Sequence, residues 1–215
     1  MALRPFAEEI AAQKKRGVLT ILTGPTCAGK DTVMKKLLEK RPNLTRMITT
    51  NSRPMRPGEA EGTDYHFVSR EDFEKLISED AFVEWVEYLG HFKGGQRVHL
   101  EEALKSGKDV IWRIDVRGVK NIRAKIEDMM EDPDSPVQSV VFIFLAPPDL
   151  ETLDRRMKAR GTENEQVWAE GLNLAKWELE QYDDCDYLVV NEDTKLEEAV
   201  GVIESIIEAN RRLVY

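Results

Sequence analysis

A short glycine-containing run constrains this chain more than any other feature of its sequence. The run Gly24-Pro25-Thr26-Cys27-Ala28-Gly29-Lys30 follows an apolar, β-branched segment at 18–23 and precedes a helical pattern at 30–40. In that setting the G-x-x-x-x-G-K spacing is typical of a loop whose backbone N–H groups surround phosphates. The helix N-terminus and the lysine add positive potential. The run therefore predicts a binding site for a nucleoside triphosphate.

The two residues after this loop are the candidate metal ligands. Asp31 stands where a serine or threonine would offer a hydroxyl group to Mg²⁺, and Thr32 follows it. A carboxylate beside a triphosphate is repulsive unless a cation lies between them. We therefore expect Asp31 and Thr32 to contact Mg²⁺ that arrives with the nucleotide.

Alternating strand-like and helical segments predict an α/β fold. Apolar runs at 18–23, 46–50, 109–116, 139–145 and 187–190 are separated by helical patterns at 30–40, 116–130, 149–159, 165–182 and 195–211. This order favours a mostly parallel five-stranded sheet with helices on both faces. Residues 51–107 break the rhythm with several prolines and glycines, strand-like pieces and a helix at 71–78 capped by Ser69, so they predict an insertion with its own small sheet. Residues 1–16 have loosely helical spacing and predict an N-terminal helical extension.

Charge and cysteine content exclude several classes of protein. The 31 lysines and arginines against 40 acidic residues give a net charge of −9, which disfavours broad contact with nucleic-acid phosphates. Two cysteines, Cys27 and Cys185, form no disulfide framework. The longest apolar run, 137–148, is too short to span a bilayer. We therefore expect a cytoplasmic protein that binds neither nucleic acid nor membrane.

Six blocks of the sequence, taken in order and spacing, resemble the guanylate kinases. They are the loop at 24–30, the run R-x-x-R-P-G-E-x-x-G-x-D-Y-x-F-V-S at 53–69, F-V-E-W at 82–85, I-D-V-x-G at 114–118, R-x-x-x-R-G-T-E at 156–163, and V-V-N at 189–191. The resemblance extends from about residue 17 to the C-terminus.

The resemblance implies a fold, a reaction and a cofactor. The fold is a P-loop NTPase core with a five-stranded, mostly parallel sheet, formed by residues 17–50 and 108–215. A small nucleoside-monophosphate-binding domain is inserted at 51–107, and a helical lid lies around 156–171. The reaction is transfer of the terminal phosphoryl group of ATP to GMP, or to dGMP, with Mg²⁺ bound to ATP. This places the chain in purine nucleotide metabolism.

Roles for individual residues follow from the same resemblance. ATP is expected to contact the loop, its helix start and an asparagine after the last strand, with three cations acting in catalysis. GMP is expected to be held by its phosphate and its base, since a carboxylate at 84 matches the N1–H and 2-amino donors of guanine, which adenine lacks. The ATP group comprises Gly24, Pro25, Thr26, Cys27, Ala28, Gly29, Lys30, Asp31, Thr32 and Asn191; the catalytic group comprises Lys30, Arg156 and Arg160; the GMP group comprises Thr49, Arg53, Arg56, Tyr65, Glu84, Lys93 and Asp115.

Four positions depart from the family pattern and two other functions stay open. Lys93 replaces a tyrosine, Gly95 a serine or threonine, Arg113 an acidic residue, and Gly171 a lid arginine; Lys93 and Arg113 could supply the charge missing at 171. The sequence G-K-D-T at 29–32 also resembles the ribose 1,5-bisphosphate phosphokinases. A non-catalytic guanylate-kinase-like module that binds proteins is the third possibility, although such modules tend to lose the lysine present here as Lys30.

Overall fold

A computed structural model describes residues 17–88, 90–159 and 165–211 of the 215-residue chain. The elements in chain order are β1 (Leu19–Thr23), α1 (Lys30–Lys40), β2 (Leu44–Arg46), β3 (Thr50–Asn51), β4 (His66–Phe67), α2 (Arg70–Ser78), β5 (Phe82–Tyr88), β6 (His91–Gln96), α3 (Arg97–Lys105), β7 (Asp109–Arg113), a 3₁₀ turn (Val116–Gly118), α4 (Val119–Glu131), β8 (Val140–Ala146), α5 (Leu150–Ala159), α6 (Glu165–Leu179), a second 3₁₀ turn (Tyr182–Asp184), β9 (Tyr187–Val190) and α7 (Leu196–Arg211).

The core sheet has five strands in the order β2-β7-β1-β8-β9, and every pair is parallel. This confirms the predicted α/β class and the five-stranded sheet. The carboxyl ends of β1 and β7 lie side by side, because Leu22 is in register with Arg113. Ligands of such sheets bind beyond these strand ends, so the register brings Arg113 close to the loop that follows β1.

Helices cover both faces of the core sheet. On one face, Val33 and Leu37 of α1 pack with residues of α7 and with Leu22 of β1. On the other face, Leu19 and Ile21 of β1 contact α3 and α4. Alternate residues of β1 thus enter opposite halves of the core, as the side-chain period of a strand requires. This packing fixes α1, and with it the loop before α1, relative to the sheet.

The predicted strand at 46–50 is wrong. Core strand β2 ends at Arg46, after which the Met47 N–H still bonds the Ile111 carbonyl. The chain then crosses to the insertion, where Thr50 pairs with Gly94 and with His66 in a second sheet. One continuous strand-like run of sequence therefore contributes to two sheets, and the run alone gives no sign of the break.

The insertion contains a four-stranded sheet in the order β4-β3-β6-β5 and the helix α2. Helix α2 begins as predicted, because the Ser69 Oγ accepts a hydrogen bond from the Asp72 N–H at 3.0 Å. Helix α3 was not predicted: it begins directly after β6 without a side-chain cap. The two glycines near the end of β6 are typical of a loop, so the sequence predicted neither β6 nor α3.

Two predicted helices have shorter α-helical parts than expected. The one at 116–130 begins with a 3₁₀ turn, which the Asp115 carboxylate caps by accepting from the Arg117 N–H, and α4 starts only at Val119. The one at 165–182 ends at Leu179, before the second 3₁₀ turn. Among the described residues, no helix has the length and hydropathy needed to cross a bilayer.

Candidate active site

The loop between β1 and α1 has the backbone that phosphate binding requires. Gly24 and Gly29 have φ angles of 136° and 94°, which disfavour any residue with a side chain. A Cβ at position 24 would lie 2.1 Å from the Leu145 carbonyl oxygen, and one at position 29 would lie 2.3 Å from the Asn191 Nδ2. Both glycines of the motif therefore allow close approach as well as positive φ.

The Lys30 ammonium lies inside the curve of this loop. Its Nζ donates to the carbonyl oxygens of Gly24 at 2.6 Å and Pro25 at 2.7 Å. Burial lowers the pKa of Lys30, while the negative charge of Glu178 acts in the opposite direction. Lys30 is thus a desolvated cation held by two neutral acceptors, an arrangement from which a phosphate oxygen can take its hydrogen bonds.

Glu178 is a buried carboxylate that the sequence analysis did not identify. It is 3% exposed, and its Oε2 accepts a hydrogen bond from the Thr26 N–H at 3.0 Å. Burial raises the pKa of this carboxyl group. The contact ties α6 to the phosphate-binding loop. The sequence did contain one signal for Glu178: it follows Ala175 by three positions, so the two residues share one face of α6.

Arg156 and Asn191 both bind the loop from the opposite side. The Asn191 Nδ2 donates to the Ala28 carbonyl at 2.8 Å, and Asn191 is only 5% exposed. The Arg156 Nη2 donates to the Asn191 carbonyl at 2.7 Å, and its Nε donates to Asp193 at 2.8 Å. Asp193, which the sequence analysis missed, therefore orients Arg156. Arg160 lies outside the described residues.

A cavity of about 600 Å³ joins these groups. It lies at the carboxyl end of β1, between the start of α1 and the end of α5. Its walls include most of the predicted ATP group together with Arg113 and Arg156; among its lining residues are Thr26, Cys27, Gly29, Lys30, Asp31, Thr32, Arg113, Arg156, Asn191 and Asp193.

Asp31 and Arg113 form an ion pair on the wall of this cavity. The Arg113 Nη1 lies 3.2 Å from the Asp31 Oδ2, and both side chains reach solvent. Both residues depart from the expected pattern, one to a carboxylate and the other to a guanidinium group. The structure therefore pairs one departure with the other across the strand end and the helix start.

The predicted phosphate-binding residues of the insertion surround a second carboxylate, Glu59. The Arg53 Nη1 donates to the Glu59 Oε2 at 2.7 Å, and the Arg56 N–H donates to the same oxygen at 2.8 Å. These bonds lower the pKa of Glu59 to about 2. The Arg53 guanidinium also lies 5.2 Å from the centroid of the Tyr65 ring. Arg53 and Tyr65 are thus adjacent, whereas the Arg56 side chain is exposed on the loop.

Lys93 lies on the same small sheet, with its Nζ 5.2 Å from the centroid of the Tyr65 ring. Burial lowers the pKa of Lys93, and the charge of Arg113 lowers it further, whereas Glu84 raises it. Lys93 therefore stands between the predicted phosphate-binding residues and the predicted base-binding carboxylate. The Phe67 ring also contacts Tyr65, with 5.7 Å between the two ring centroids.

Glu84 is a partly buried carboxylate on β5 with a raised pKa. Of the residues that the structure describes, none donates a hydrogen bond to it. Burial raises its pKa to about 7, the charge of Asp115 adds to this rise, and Lys93 opposes it. A desolvated carboxylate without protein donors is available to a ligand that brings donors of its own. Thr49, the other predicted base contact, is buried beside β3.

Packing accounts for two of the departures. A Cβ at position 95 would lie 2.2 Å from Cζ2 of Trp112, so the indole ring occupies the space that a serine or threonine would need. A Cβ at position 171 would lie 2.9 Å from the Met157 Cε, where α6 meets α5. A flexible methionine end can move, so Gly171 is less strictly required than Gly95.

The glycine-bounded loop on a parallel sheet, with a lysine at its helix start, defines a P-loop α/β protein. The family described as guanylate kinase matches residues 16–210 of this chain. The chain is 40% identical over 197 residues to a guanylate kinase of Thermus thermophilus, which covers 92% of this chain and 83% of the relative. It is 38% identical over 196 residues to that of Oceanobacillus iheyensis, covering 91% and 89%.

A solved structure agrees with these relatives. The crystal structure of guanylate kinase from Anaplasma phagocytophilum is 32% identical, with a TM-score of 0.66, and the match covers 93% of this chain and 89% of that one. The chain belongs to the guanylate kinase family. The resemblance read from the six sequence blocks is thereby confirmed.

Proposed function

We propose that this chain transfers the terminal phosphoryl group of ATP to GMP, giving ADP and GDP. Membership of the guanylate kinase family supports this reaction. The single observation that carries it is the presence, in one molecule, of a P-loop cavity and of the Glu84 carboxylate, to which none of the described residues donates a hydrogen bond. That carboxylate matches the adjacent N1–H and 2-amino groups of guanine, and adenine presents no such pair.

In the proposed reaction an oxygen of the GMP phosphate attacks the γ-phosphorus of ATP, and the bond from that phosphorus to the β-bridging oxygen breaks. The electron pair of the broken bond stays with ADP. The protein has little covalent work in such a transfer, so it acts by positioning and by stabilising charge. We assign this stabilisation to Lys30 and Arg156, and we retain Arg160 as a prediction from the motif.

The donor nucleotide is proposed to bind along the P-loop cavity. Its phosphates would accept hydrogen bonds from the loop N–H groups and from Lys30, and its base would contact Asn191. The burial of Lys30 supports this role, because a desolvated ammonium interacts more strongly with phosphate than an exposed one does. Nine of the ten residues of the predicted ATP group are consecutive, at 24–32, and the tenth, Asn191, donates a hydrogen bond to the loop.

The acceptor is proposed to bind on the small sheet. Arg53, Arg56, Tyr65 and Lys93 would hold its phosphate. Glu84 would read its base, with Thr49 and Asp115 nearby. The adjacency of Arg53, Lys93 and Tyr65 supports a shared phosphate subsite, since two cations and a hydroxyl group converge there.

Asp31 and Thr32 are proposed to face the Mg²⁺ that accompanies ATP. The residues fit such an ion: both supply oxygen atoms, both line the cavity, and magnesium commonly takes one or two protein oxygens together with phosphates and water. When bound, the ion neutralises charge on the β- and γ-phosphates. Asp31 would also keep its own charge away from the phosphates by facing this ion.

The division into parts remains a proposal as well. The core would comprise residues 17–50 and 108–215, with a lid around 156–171, and the insertion at 51–107 would form the GMP-binding domain. The small sheet within 51–107 supports the last assignment. The pairing of Thr50 within that sheet supports a start of the insertion a residue or two before position 51.

The test is a panel of phosphate acceptors with ATP and Mg²⁺. We expect the kcat/KM for GMP to exceed those for AMP, CMP and UMP by about a hundredfold, because the base is read by donors that only guanine presents together. Glu84→Gln should narrow that ratio. Equal use of AMP, or faster phosphorylation of ribose 1,5-bisphosphate than of GMP, would contradict the assignment. The relatives and contacts described above favour neither the sugar-phosphate kinase nor the non-catalytic module.

A further inference from the structure

The ion pair between Asp31 and Arg113 lies at an unusual place for two charged side chains. Arg113 is the last residue of β7, and its partner is the second residue of α1. Both line the cavity of about 600 Å³ that also contains Lys30 and Arg156. The pair is therefore part of the surface that faces the nucleotide phosphates in the proposed function.

The position of Arg113 is fixed by the sheet. Its backbone is in register with Leu22 of β1, and the Ile114 N–H bonds the Leu22 carbonyl at 3.1 Å. Leu22 precedes the first glycine of the P-loop by two residues, so the guanidinium group starts from a rigid strand end close to that loop. Ile111, two residues earlier on β7, packs on the α1 face, and Arg113 projects to the same face.

Arg113 lies within electrostatic reach of both proposed subsites. It lines the same cavity as Lys30 of the P-loop, and its charge lowers the pKa of Lys93 on the small sheet. Lys30 on the donor side, Lys93 on the acceptor side and Arg113 are thus three cations near enough to repel one another. An anion that enters among them relieves this repulsion.

The partner of Arg113 can be exchanged at little cost. The Arg113 side chain is 36% exposed and the Asp31 side chain is 74% exposed, and exposed ion pairs add little to stability. A phosphoryl group offers a guanidinium group two or three charged oxygens in place of one carboxylate, in a geometry suited to its paired N–H groups. The exchange therefore favours the phosphoryl group.

We propose that Arg113 is a further catalytic residue, which leaves Asp31 when substrates bind and donates hydrogen bonds to the transferring phosphoryl group. This inference rests on the proposed function. Asp31, released from its partner, then faces the cation that accompanies ATP. Until the substrates arrive, each side chain neutralises the other: Asp31 takes the place of the phosphoryl group at Arg113, and Arg113 takes the place of the cation at Asp31.

The test compares Arg113→Gln with a matched control, Arg97→Gln. Arg97 has nearly the same exposure, 37%, and pairs with the single carboxylate of Asp80 at 3.7 Å, outside the P-loop cavity. In a steady-state assay with Mg-ATP and GMP, Arg113→Gln should lower kcat by about a hundredfold with a smaller change in the KM for GMP, because the contact forms mainly in the transition state. Arg97→Gln should leave both within about threefold.

A second measurement reads binding without turnover. The probe is adenosine and guanosine joined by five phosphates, titrated by calorimetry in EDTA and again with Mg²⁺. Arg113→Gln should weaken this probe by about tenfold or more under both conditions, while GMP alone changes by less than about threefold. Adding guanidinium ion to Arg113→Ala should recover part of the lost kcat, and Arg113→Lys, which keeps the charge, should lie between wild type and Arg113→Gln.

The outcomes separate the two proposals. A wild-type protein that fails to phosphorylate GMP contradicts the proposed function. If the wild type is active and Arg113→Gln retains kcat and probe affinity within about threefold, Arg113 is a surface charge and the inference is overturned. An equal loss in Arg97→Gln overturns it too, since the effect would then be general. If Arg113→Gln does not fold, Arg113→Lys is compared with the wild type instead. Retention of kcat and probe affinity within about threefold in that variant overturns the inference.

Discussion

The raised pKa of Glu84 predicts a specific pH dependence of GMP binding. Only the ionised carboxylate can accept hydrogen bonds from both guanine donors on its two oxygens. Burial raises the pKa of Glu84 to about 7. At about pH 6 roughly one molecule in eleven is ionised, and at about pH 8 roughly ten in eleven. The dissociation constant for GMP should therefore fall about tenfold between those two values, as the pH rises.

The assay is calorimetric titration of GMP from about pH 5.5 to about pH 8.5, in paired buffers of different ionisation enthalpy. Proton release on binding should be largest below the pKa of Glu84. The GMP phosphate, with a second pKa of about 6, also titrates in this range. Glu84→Gln is the control: the phosphate of GMP titrates equally with this variant, whereas position 84 no longer ionises. The ratio of the two dissociation constants isolates Glu84.

The same shift gives a sign for stability. In the folded protein the pKa of Glu84 lies above its ordinary value of 4.5, so the folded state binds the proton more tightly than the unfolded state. Its stabilising contribution is complete below about pH 4.5 and is lost as the pH rises through about 7, a change of about 3 kcal/mol. Glu84→Gln should remove this slope from the free energy of unfolding.

One variant tests the cause of the shift. Lys93→Met removes a positive charge that lowers the pKa of Glu84, so the midpoint of the pH dependence should move to a higher pH. If the wild-type and Glu84→Gln proteins lose GMP affinity in parallel as the pH falls, the carboxylate does not read the base through its charge, and the reasoning is refuted.

The other predictions concern the P-loop and the contact between the two sheets. Lys30→Ala should lower kcat by about a thousandfold in the GMP assay with an unchanged circular dichroism spectrum, because the ammonium stabilises the phosphoryl group in transit; full activity would contradict the P-loop assignment. Alkylation of Cys27, which lines the cavity, should inactivate the protein and be slowed by Mg-ATP; Cys185, whose pKa burial raises to about 12, should react more slowly, and equal labelling of Cys27 with and without nucleotide would disprove the protection. Gly95→Ser should lower the free energy of unfolding by about 1–3 kcal/mol in denaturant titrations, since its Cβ would overlap the Trp112 ring, and Trp112→Leu in the same protein should recover part of that loss.

The parts of the fold that the sequence predicted are those with a strong local signal. Helix α1 runs over 30–40 as expected, because a glycine at its start and a buried stripe of Val33 and Leu37 mark it out. Strand β9 also has the predicted bounds. Each of these elements is specified by residues within its own length, so the spacing of its apolar residues is sufficient to predict it.

Long-range contacts account for what the sequence did not predict. The break between β2 and β3 depends on which distant strand each residue meets: Arg46 pairs with Ile111, and Thr50 pairs with Gly94. Helix α3 follows two glycines whose small size makes room for distant residues: Gly94 faces β5, and Gly95 faces Trp112 of β7. Glu178 is buried, and its carboxylate accepts a hydrogen bond from the Thr26 N–H of the P-loop. In each case the deciding partner lies far away in sequence.

The candidate site shows the same limit in its charges. The motif residues could be named from the sequence, but the groups that hold them were not: Glu59 and Asp193 look like ordinary acidic residues of an acidic chain, and Glu178 is marked only by its helical spacing from Ala175. Only the structure brings Asp31 next to Arg113, or Lys93 next to the Tyr65 ring. Residue type thus predicts the chemistry of a site, whereas its electrostatic balance requires the fold.

That balance explains how a chain with a net charge of −9 can present cations to phosphates. Four cationic side chains of the two proposed subsites are each held by acceptors of the chain itself: Lys30 by the Gly24 and Pro25 carbonyls, Arg53 by Glu59, Arg113 by Asp31, and Arg156 by Asp193. Substrate phosphates must therefore exchange with these acceptors, and only the difference between old and new contacts contributes to binding. Charge alone then discriminates weakly among nucleotides. We therefore expect selection of the base to fall to a group that receives no hydrogen bond from the described residues, and Glu84 is such a group among the predicted site residues.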